Sequence, residues 1–202
     1  MAGLRLGILG GTFDPVHLGH LELAREARDA LRLGRVLFIP AGQPWRKAGR
    51  GITSDEHRVA MLREAVGSEA AYEVTTLEVE RAGPSYTVDT LETLRAEHPG
   101  AEMFFIVWED SLADLPNWVR PERILELAIL AVARRAGRRA DVVEEAMRRV
   151  PGLGERVIWL TMSPVEVSAT EIRERVRAGL PIGDMVPAAV ETYIRERGLY
   201  RE

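Results

Sequence analysis

The feature that most constrains this chain is a pair of glycines between a short apolar run and an amphipathic helical pattern. The run Leu4–Leu9 predicts a buried strand, and the pattern near Leu21–Leu31 predicts a helix. Gly10 and Gly11 directly follow the run. Because the first N–H groups of a helix have no partner within it, a strand, a glycine turn and a helix start together form an anion site. We therefore predict that a phosphate binds at this turn.

Two histidines follow the same turn. His17 and His20 are three residues apart near the predicted helix start, so their rings can face the same way. A glycine pair is often only a turn, and a histidine near a helix start is often structural. Both features in one strand–turn–helix context favour nucleotide phosphates as the ligand.

Apolar runs alternate with amphipathic helical patterns along the rest of the chain. This order predicts an α/β fold: a Rossmann-like, doubly wound, mostly parallel sheet with helices on both faces. Ligands of such sheets bind beyond the carboxyl ends of the strands. The predicted strands are Leu4–Leu9, Arg35–Pro40, Tyr72–Glu80, Glu102–Val107, Ile129–Ala133 and Arg156–Thr161. The later predicted helices are Asp55–Val66, Thr87–Glu97, Pro121–Glu126, Asp141–Arg149, Val167–Ala178 and Pro187–Arg197.

Length and composition restrict the class of protein. We predict one domain over residues 1–202, with a core over residues 1–162 and a small helical part over residues 163–202, because no linker or repeat interrupts the chain. The formal net charge of −4 argues against nucleic acid as a partner. Cysteine is absent, which excludes disulfides, thiol nucleophiles and zinc–thiolate sites.

The sequence gives no sign of a membrane partner. The longest apolar run, Leu127–Ala133, is far too short to span a bilayer. The N-terminus passes directly into the first predicted strand, without a basic and then apolar leader. We therefore expect a cytoplasmic protein.

Arginine occupies almost every basic position. Of the 27 basic residues, only Lys47 is a lysine. Lysine is a compact point charge and arginine a planar fork, so the two are not equivalent at a phosphate. A single remaining lysine can arise by chance, but it is also a candidate phosphate ligand.

The segment G-G-T-F-D-P-V-H-L-G-H, residues 10–20, resembles the first motif of the nucleotidyltransferases with an H-x-G-H signature. Within that superfamily, nearly the whole chain is most similar to the bacterial nicotinate-nucleotide adenylyltransferases, which make deamido-NAD from nicotinate mononucleotide and ATP. The resemblance implies catalytic roles for His17 and His20 and a mononucleotide contact for Asp14. The ATP contacts that it implies here are Gly10, Gly11, Thr12, Phe13 and His20.

Residues 167–173 resemble the second signature of the family, I-S-S-T-x-I-R. Taken alone, Ser168 followed three residues later by Glu171 is a capping box that any helix can use, but capping does not explain Arg173. The resemblance implies that Ser168, Thr170 and Arg173 hold the ATP phosphates, and that Arg173 is also catalytic.

Two segments resemble the part of the family site that reads the nicotinate group. Residues 85–91 resemble Y-T-x-D-T-L, which implies that Thr87, at a helix N-terminus, binds the carboxylate. Residues 115–119 resemble L-P-x-W, which implies that Trp118 stacks on the pyridine ring beside the Val119 N–H. The ordinary alternatives are a threonine cap and a tryptophan in the core.

A third segment, residues 43–47, resembles a P-x-x-K-like segment whose lysine contacts the substrate phosphate. The resemblance implies that Lys47 is catalytic and binds the mononucleotide.

The chain departs from the family at the end of the fourth predicted strand. Relatives carry G-x-D where this chain has Trp108-Glu109-Asp110. The resemblance implies that Asp110 contacts the ribose of ATP. Glycine lets a nucleotide approach the backbone, so an indole at Trp108 should crowd the adenosine side of the ATP site.

The implied reaction is attack by a phosphate oxygen of nicotinate mononucleotide on the α-phosphorus of ATP, with pyrophosphate as the leaving group. A phosphate monoester is largely a dianion at neutral pH, so no general base is required. Mg²⁺ is expected to arrive with ATP and to keep several waters, and the sequence indicates no metal ligands on the protein.

Three alternatives remain at this stage. A sister transferase, such as a phosphopantetheine adenylyltransferase or a glycerol-phosphate cytidylyltransferase, shares the first motif and the fold. A dual enzyme would use nicotinamide mononucleotide equally well. A nucleotide-binding regulator without catalysis is favoured only by Trp108. The sequence is compatible with a homo-oligomer.

Overall fold

The computed structural model describes residues 3–43, 51–67, 69–134, 140–162 and 167–201. A six-stranded sheet forms its centre. The strands are β1 (Arg5–Gly11), β2 (Arg35–Pro40), β3 (Tyr72–Val74), β4 (Glu102–Trp108), β5 (Ile129–Ala133) and β6 (Val157–Leu160). Their order in the sheet is β3-β2-β1-β4-β5-β6, and every neighbouring pair is parallel.

Helices connect the strands, as a parallel sheet requires. Two short 3₁₀ turns, Leu115–Asn117 and Leu153–Arg156, add to them. The helices are α1 (Leu18–Leu31), α2 (Asp55–Val66), α3 (Leu77–Glu80), α4 (Thr87–Glu97), α5 (Glu109–Asp114), α6 (Pro121–Leu127), α7 (Ala140–Arg149), α8 (Ala169–Arg177) and α9 (Ala188–Arg197).

Both faces of the sheet are apolar, and helices cover each of them. Successive side chains of a strand point to opposite faces, so each strand contributes to both. On one face, Phe104 and Ile106 of β4 pack with residues of α1, α2, α8 and α9. On the other face, Phe105 and Val107 pack with residues of α4, α5, α6 and α7. The predicted Rossmann-like, doubly wound sheet with helices on both faces is confirmed.

The order of the strands reverses beside β1, which lies between β2 and β4. Chain connections leave the sheet in opposite directions at such a switch point and open a crevice at the carboxyl ends of the strands. Gly11 ends β1 and Trp108 ends β4 at this crevice. The topology therefore brings the two segments that the sequence analysis had singled out to one edge of the sheet.

The predicted third strand, Tyr72–Glu80, is wrong in its second half. Only residues 72–74 pair with β2, and residues 77–80 form the single turn of α3. The alternation of apolar and polar residues continues past residue 74, but the neighbouring strand ends at Pro40, which has no N–H to donate. The polar side chains after residue 74 therefore do not have to face solvent from an edge strand, and they can line a site.

The first strand and first helix are both longer than predicted. Gly10 and Gly11 still belong to β1, where they pair with Ile39 and Pro40 of β2. The helix α1 begins at Leu18, three residues before the predicted start. The helix α5, which follows Trp108, was not predicted. The division of the chain at residue 162 stays a prediction.

Candidate active site

The turn after β1 depends on its second glycine. A Cβ on Gly11 would lie 3.0 Å from Cζ of Phe13, closer than nearly all real Cβ contacts, whereas a Cβ on Gly10 would have an ordinary 3.8 Å contact. Phe13 has a φ of +50°, in the left-handed region, and its ring is buried in the core beside α1. The glycine therefore lets this ring fold back beneath the turn.

The backbone at the start of α1 is already partly used. The Leu18 N–H donates to the Met185 carbonyl over 2.9 Å, and the His20 N–H donates to the His17 carbonyl over 2.9 Å. Both N–H groups lie in the first turn of the helix, where the sequence pattern predicts a phosphate. The first turn of α1 therefore has fewer backbone donors left for an anion than its sequence pattern predicts.

His17 and His20 lie together, as their spacing predicts. Their rings stack with centroids 3.7 Å apart and an angle of 28° between the planes. The His17 backbone N–H donates to Nδ1 of His20 over 3.2 Å. Because Nδ1 accepts this bond, the neutral His20 ring carries its proton on Nε2 and is a hydrogen-bond donor there.

The second predicted motif lies against the first. Ser168 caps α8, and its Oγ accepts the Glu171 N–H over 3.1 Å, so the capping interpretation of this serine is correct in local structure. Arg173 reaches across to the β1–α1 turn, where its Nη1 donates to the Asp14 carbonyl over 2.6 Å. Its Nη2 donates to Oγ1 of Thr170 over 3.3 Å. The structure thus places the guanidinium beside the glycine turn.

Trp108 and Asp110 mark the start of α5 at the carboxyl end of β4. The partly buried Trp108 packs against the core on the α1 and α8 face of the sheet, together with Phe13. Asp110 lies in the first turn of α5. The indole is therefore on the face that carries the two histidines, and the expected crowding of ATP stays a prediction.

A cavity of about 230 Å³ opens on the other side of the glycine turn. Its walls bring together residues from three predicted segments that are distant in sequence. The predicted site residues among its lining are Gly10, Gly11, Thr12, Thr87, Trp118 and Val119. The strand β1 thus ends between a histidine pair and a cavity.

Trp118 forms a fixed wall of this cavity. Its Nε1 donates to Oδ2 of Asp114 over 2.9 Å. Its ring meets the edge of Phe105 with centroids 6.0 Å apart and an angle of 70° between the planes. A tryptophan held by both its polar and apolar parts presents a preformed surface to a flat heteroaromatic ring.

A buried carboxylate lines the same cavity, and sequence reasoning missed it. Glu78 is 8% exposed and accepts a hydrogen bond from Oγ1 of Thr90 over 2.7 Å. Burial raises the pKa of Glu78, while hydrogen bonds from Thr90 and Ser85 and the charge of Arg81 oppose that rise. Its position within an alternating segment predicted a strand rather than a site.

A second missed residue is Arg58 of α2, a guanidinium with 0% exposure. It donates to three backbone carbonyls: Nη1 to Thr12 over 2.7 Å, Nη2 to Ala41 over 2.7 Å, and Nε to Thr53 over 3.0 Å. It also pairs with the Asp55 carboxylate. One buried charge therefore joins the β1–α1 turn, the end of β2 and the segment before α2.

The sequence did contain a signal for Arg58. An arginine precedes Met61 and Leu62 by three and four residues, which puts it on the apolar face of α2. Both of those side chains have 0% exposure. A charge at an apolar position needs partners in the interior, and such positions are searchable in a sequence.

Asp14 is a joint between distant parts of the chain. Its Oδ1 accepts the hydroxyl of Tyr200 over 2.7 Å, and its Oδ2 accepts the Thr53 N–H over 3.4 Å. Its side chain is 6% exposed. Both carboxylate oxygens therefore have donors within the protein, and a contact of Asp14 with the mononucleotide stays a prediction.

The predicted role of Lys47 falls outside the described residues. Among the residues that the structure describes, no group of three His, Cys, Asp or Glu side chains is placed to hold a metal ion. No helix within the described ranges has the length and apolar character needed to cross a bilayer.

Comparison with known proteins shows the family of this chain. Residues 8–175 match the model of the cytidylyltransferase-like family. A probable nicotinate-nucleotide adenylyltransferase of Thermomicrobium roseum is 48% identical over 98% of this chain and 92% of its own length. A protein of Roseiflexus sp. with the same description is 45% identical over 100% of both chains.

A solved structure shares the fold at low sequence identity. The nicotinic acid mononucleotide adenylyltransferase of Plasmodium falciparum, complexed with NaAD, superposes with a TM-score of 0.79 at 18% identity, covering 98% of this chain and 97% of its own. Because these two relatives are at least 45% identical over 92–100% of each chain, this chain belongs to the nicotinate-nucleotide adenylyltransferase family.

Proposed function

We propose that this protein transfers the adenylyl group of ATP to nicotinate mononucleotide and releases deamido-NAD and pyrophosphate, a step of NAD biosynthesis. One observation carries the proposal. The carboxyl end of β1 lies between the imidazoles and Arg173 on one side and a cavity walled by Trp118 and Thr87 on the other. Two anionic substrates bound on the two sides would meet over Gly10 and Gly11.

In this reaction the protein has to align the two substrates and stabilise negative charge on the transferring phosphoryl group. The nucleophile is a phosphate dianion at neutral pH, so the chain does not have to remove a proton from it. The two substrates repel each other, and holding them in line supplies much of the rate enhancement. Nε2 of His20 and the guanidinium of Arg173 would donate to the oxygens where charge develops on the transferring phosphoryl group.

The cavity would bind the pyridine end of the mononucleotide. Trp118 offers its ring as a stacking surface, fixed by Asp114 and Phe105. Thr87 begins α4, whose N-terminus favours a carboxylate by charge and by N–H donors. The Val119 N–H completes the set that the sequence analysis assigned to the nicotinate carboxylate.

The residues near the turn fit a magnesium ion that the substrate carries. Asp14, a carboxylate at this turn, is engaged by Tyr200 and Thr53 rather than aimed at a shared ion. We propose that Mg²⁺ enters with the triphosphate, neutralises part of its charge and keeps waters as its other ligands. The proposal also includes a cytoplasmic location and no nucleic-acid partner, which the sequence analysis expects.

Pyrophosphate release tests the function directly. The protein is supplied with MgATP and, at equal concentration, with nicotinate mononucleotide, nicotinamide mononucleotide or phosphopantetheine. We expect rapid release with nicotinate mononucleotide only. Equal rates with the two mononucleotides would replace the proposal by a dual enzyme, and preference for phosphopantetheine would replace it by a sister transferase.

Trp108 favours a second candidate, a nucleotide-binding protein without transferase activity, because it stands where the family motif that this segment resembles has glycine. The variant Trp108→Gly separates the two candidates. If the indole crowds ATP, the variant lowers KM for ATP with kcat at least maintained. Absence of pyrophosphate release from both wild type and Trp108→Gly, in folded protein that binds ATP, would support the second candidate.

A further inference from the structure

The C-terminal end of the chain reaches the β1–α1 turn. The helix α9 ends at Arg197 and is capped by Gly198, whose φ is +62°, and Tyr200, two residues further on, has a φ of +64°. The left-handed conformations on either side of Leu199 turn the chain inward, and the Leu199 N–H closes the turn on the Ile194 carbonyl over 3.1 Å. A tyrosine held in the left-handed region is uncommon, which indicates that its side chain is held by specific contacts.

Those contacts are polar and partly buried. The Tyr200 hydroxyl donates to Oδ1 of Asp14 over 2.7 Å. Burial and the neighbouring Asp14 carboxylate raise the pKa of Tyr200, whereas Thr53 and the charge of Arg173 oppose that rise. The tyrosine therefore stays protonated and remains a donor over the whole range in which the protein would work.

Asp14 also contacts Arg173, which the proposed function assigns to the ATP phosphates. Its backbone carbonyl accepts Nη1 of Arg173 over 2.6 Å, while its side chain accepts from Tyr200 and from the Thr53 N–H. One residue thus connects the C-terminal end, the segment before α2 and α8. The carbonyl and the carboxylate belong to one residue, so a shift of the Asp14 backbone would move the partner of Arg173.

We propose that Tyr200 is a positioning residue: its hydroxyl fixes Asp14, and Asp14 fixes the guanidinium of Arg173 for the phosphates of the nucleotide. This inference rests on the ATP site of the proposed function. Without the hydroxyl, Oδ1 of a buried carboxylate loses its donor, and the side chain has to rotate toward water or toward another donor. Arg173 would then lose its anchor on the turn, and small displacements of such groups are costly in rate.

The variant Tyr200→Phe tests this inference, with Tyr193→Phe as a matched control. Tyr193 lies on α9, and its hydroxyl bonds Nδ1 of His57 over 3.0 Å, away from the turn. Each variant removes one hydroxyl from a side chain-to-side chain bond in the same part of the protein. We expect Tyr200→Phe to raise Kd for MgATP and to lower kcat, each about tenfold, with KM for the mononucleotide little changed. Calorimetric titration of MgATP and initial rates measure these quantities.

If Tyr200 had a merely structural role, both variants would have a lower Tm. Kd for MgATP and kcat would then not differ between Tyr200→Phe and Tyr193→Phe. That result would overturn the inference. In an Asp14→Ala background, the added Tyr200→Phe change should have no further effect on Kd, and a full additional loss would also overturn it. If the wild type binds MgATP but does not adenylylate nicotinate mononucleotide, the proposed function fails alone, because the effect on Kd still decides the role of Tyr200.

Discussion

The two sides of the crevice use different residues to hold their walls, arginines on one side and a carboxylate and a tryptophan on the other. On the side of α1 and α8, charged groups bond to backbone carbonyls: Arg58 holds Thr12, Ala41 and Thr53, and Arg173 holds Asp14. On the side of α4, side chains bond to one another: Thr90 donates to Glu78, and Trp118 donates to Asp114. The first side fixes the main chain of a turn, and the second shapes the wall of a cavity.

Under the proposed function, this difference suits the two ligands. A triphosphate is a dense, flexible anion, so a rigid turn with positive or donor groups around it suits its reaction. A mononucleotide presents a flat ring and one carboxylate, which need an aromatic surface and a few correctly oriented dipoles. We therefore expect changes on the first side to alter kcat or stability, and changes on the second to alter chiefly KM and selectivity.

The largest effect is expected for His20→Ala. Loss of the Nε2 donor should lower kcat about 10²–10³-fold, as loss of a single donor to developing charge does in other enzymes. Because the side chain is only partly buried, Tm should change little. Initial rates at saturating substrates measure this, with His98→Ala as a control at the end of α4. A kcat within twofold of wild type would remove His20 from the mechanism.

Arg58→Lys should have the largest effect on stability. A lysine keeps the charge but cannot reach the three carbonyls that the planar fork of Arg58 spans, so about 3 kcal/mol of unfolding free energy should be lost. Urea unfolding measures this loss. The control is Arg63→Lys, on the exposed side of the same helix. Equal stability of the two variants would mean that the buried guanidinium does not hold the turn.

Sequence and structure can be compared on these same residues. The glycine turn and the histidine pair were predictable because all their groups lie within eleven consecutive residues of one motif. Arg58 was missed because its partners at residues 12, 41 and 53 are joined only in the folded chain. Tyr200 has no local signal, since only the turn after α9 directs it inward.

The fold was more predictable than the site because a parallel sheet depends on patterns that repeat. Apolar runs predicted the central strands well, since β1, β4 and β5 are buried on both faces. The edge strand β3 was predicted too long, because pattern alone does not show where a neighbouring strand stops offering N–H groups. That error concealed Glu78, the member of the predicted strand that lines the cavity.

On the cavity side, Trp118→Ala should raise KM for nicotinate mononucleotide about tenfold and leave KM for ATP unchanged. The reason is loss of the stacking surface, since aromatic stacking on a base contributes about 1–3 kcal/mol. Steady-state kinetics with each substrate varied in turn measures both values. The variant Trp118→Phe keeps a ring and should show a smaller rise. A change in KM for ATP as large as that for the mononucleotide would break the separation of the two sides.

The smallest and most selective effect is expected for Glu78→Gln. Its first consequence concerns how Tm depends on pH. Because burial raises the pKa of Glu78, the folded protein binds this proton more tightly than the unfolded chain. Between the ordinary value of 4.5 and the raised value, wild-type stability therefore falls as pH rises. Glutamine does not titrate, so Tm of the variant should gain on wild type as pH rises from below 4.5 toward neutral. The control Glu80→Gln, an exposed residue of α3, should show no such gain.

The same substitution also separates the two pyridine nucleotides. Glu78 lines the cavity with Thr87 and Trp118, so its ionised form opposes the carboxylate of nicotinate mononucleotide but not the amide of nicotinamide mononucleotide. In Glu78→Gln, KM for the nicotinate substrate should fall severalfold relative to KM for the nicotinamide substrate. An unchanged ratio together with the expected gain in Tm would confine Glu78 to the wall of the cavity. If the variant instead came to prefer nicotinamide mononucleotide, the Glu78 carboxylate would favour the nicotinate substrate in the wild type. It would do so indirectly, by holding Thr90 and Ser85 near the start of α4. The cavity side would then depend on backbone position, as the side of Arg173 does.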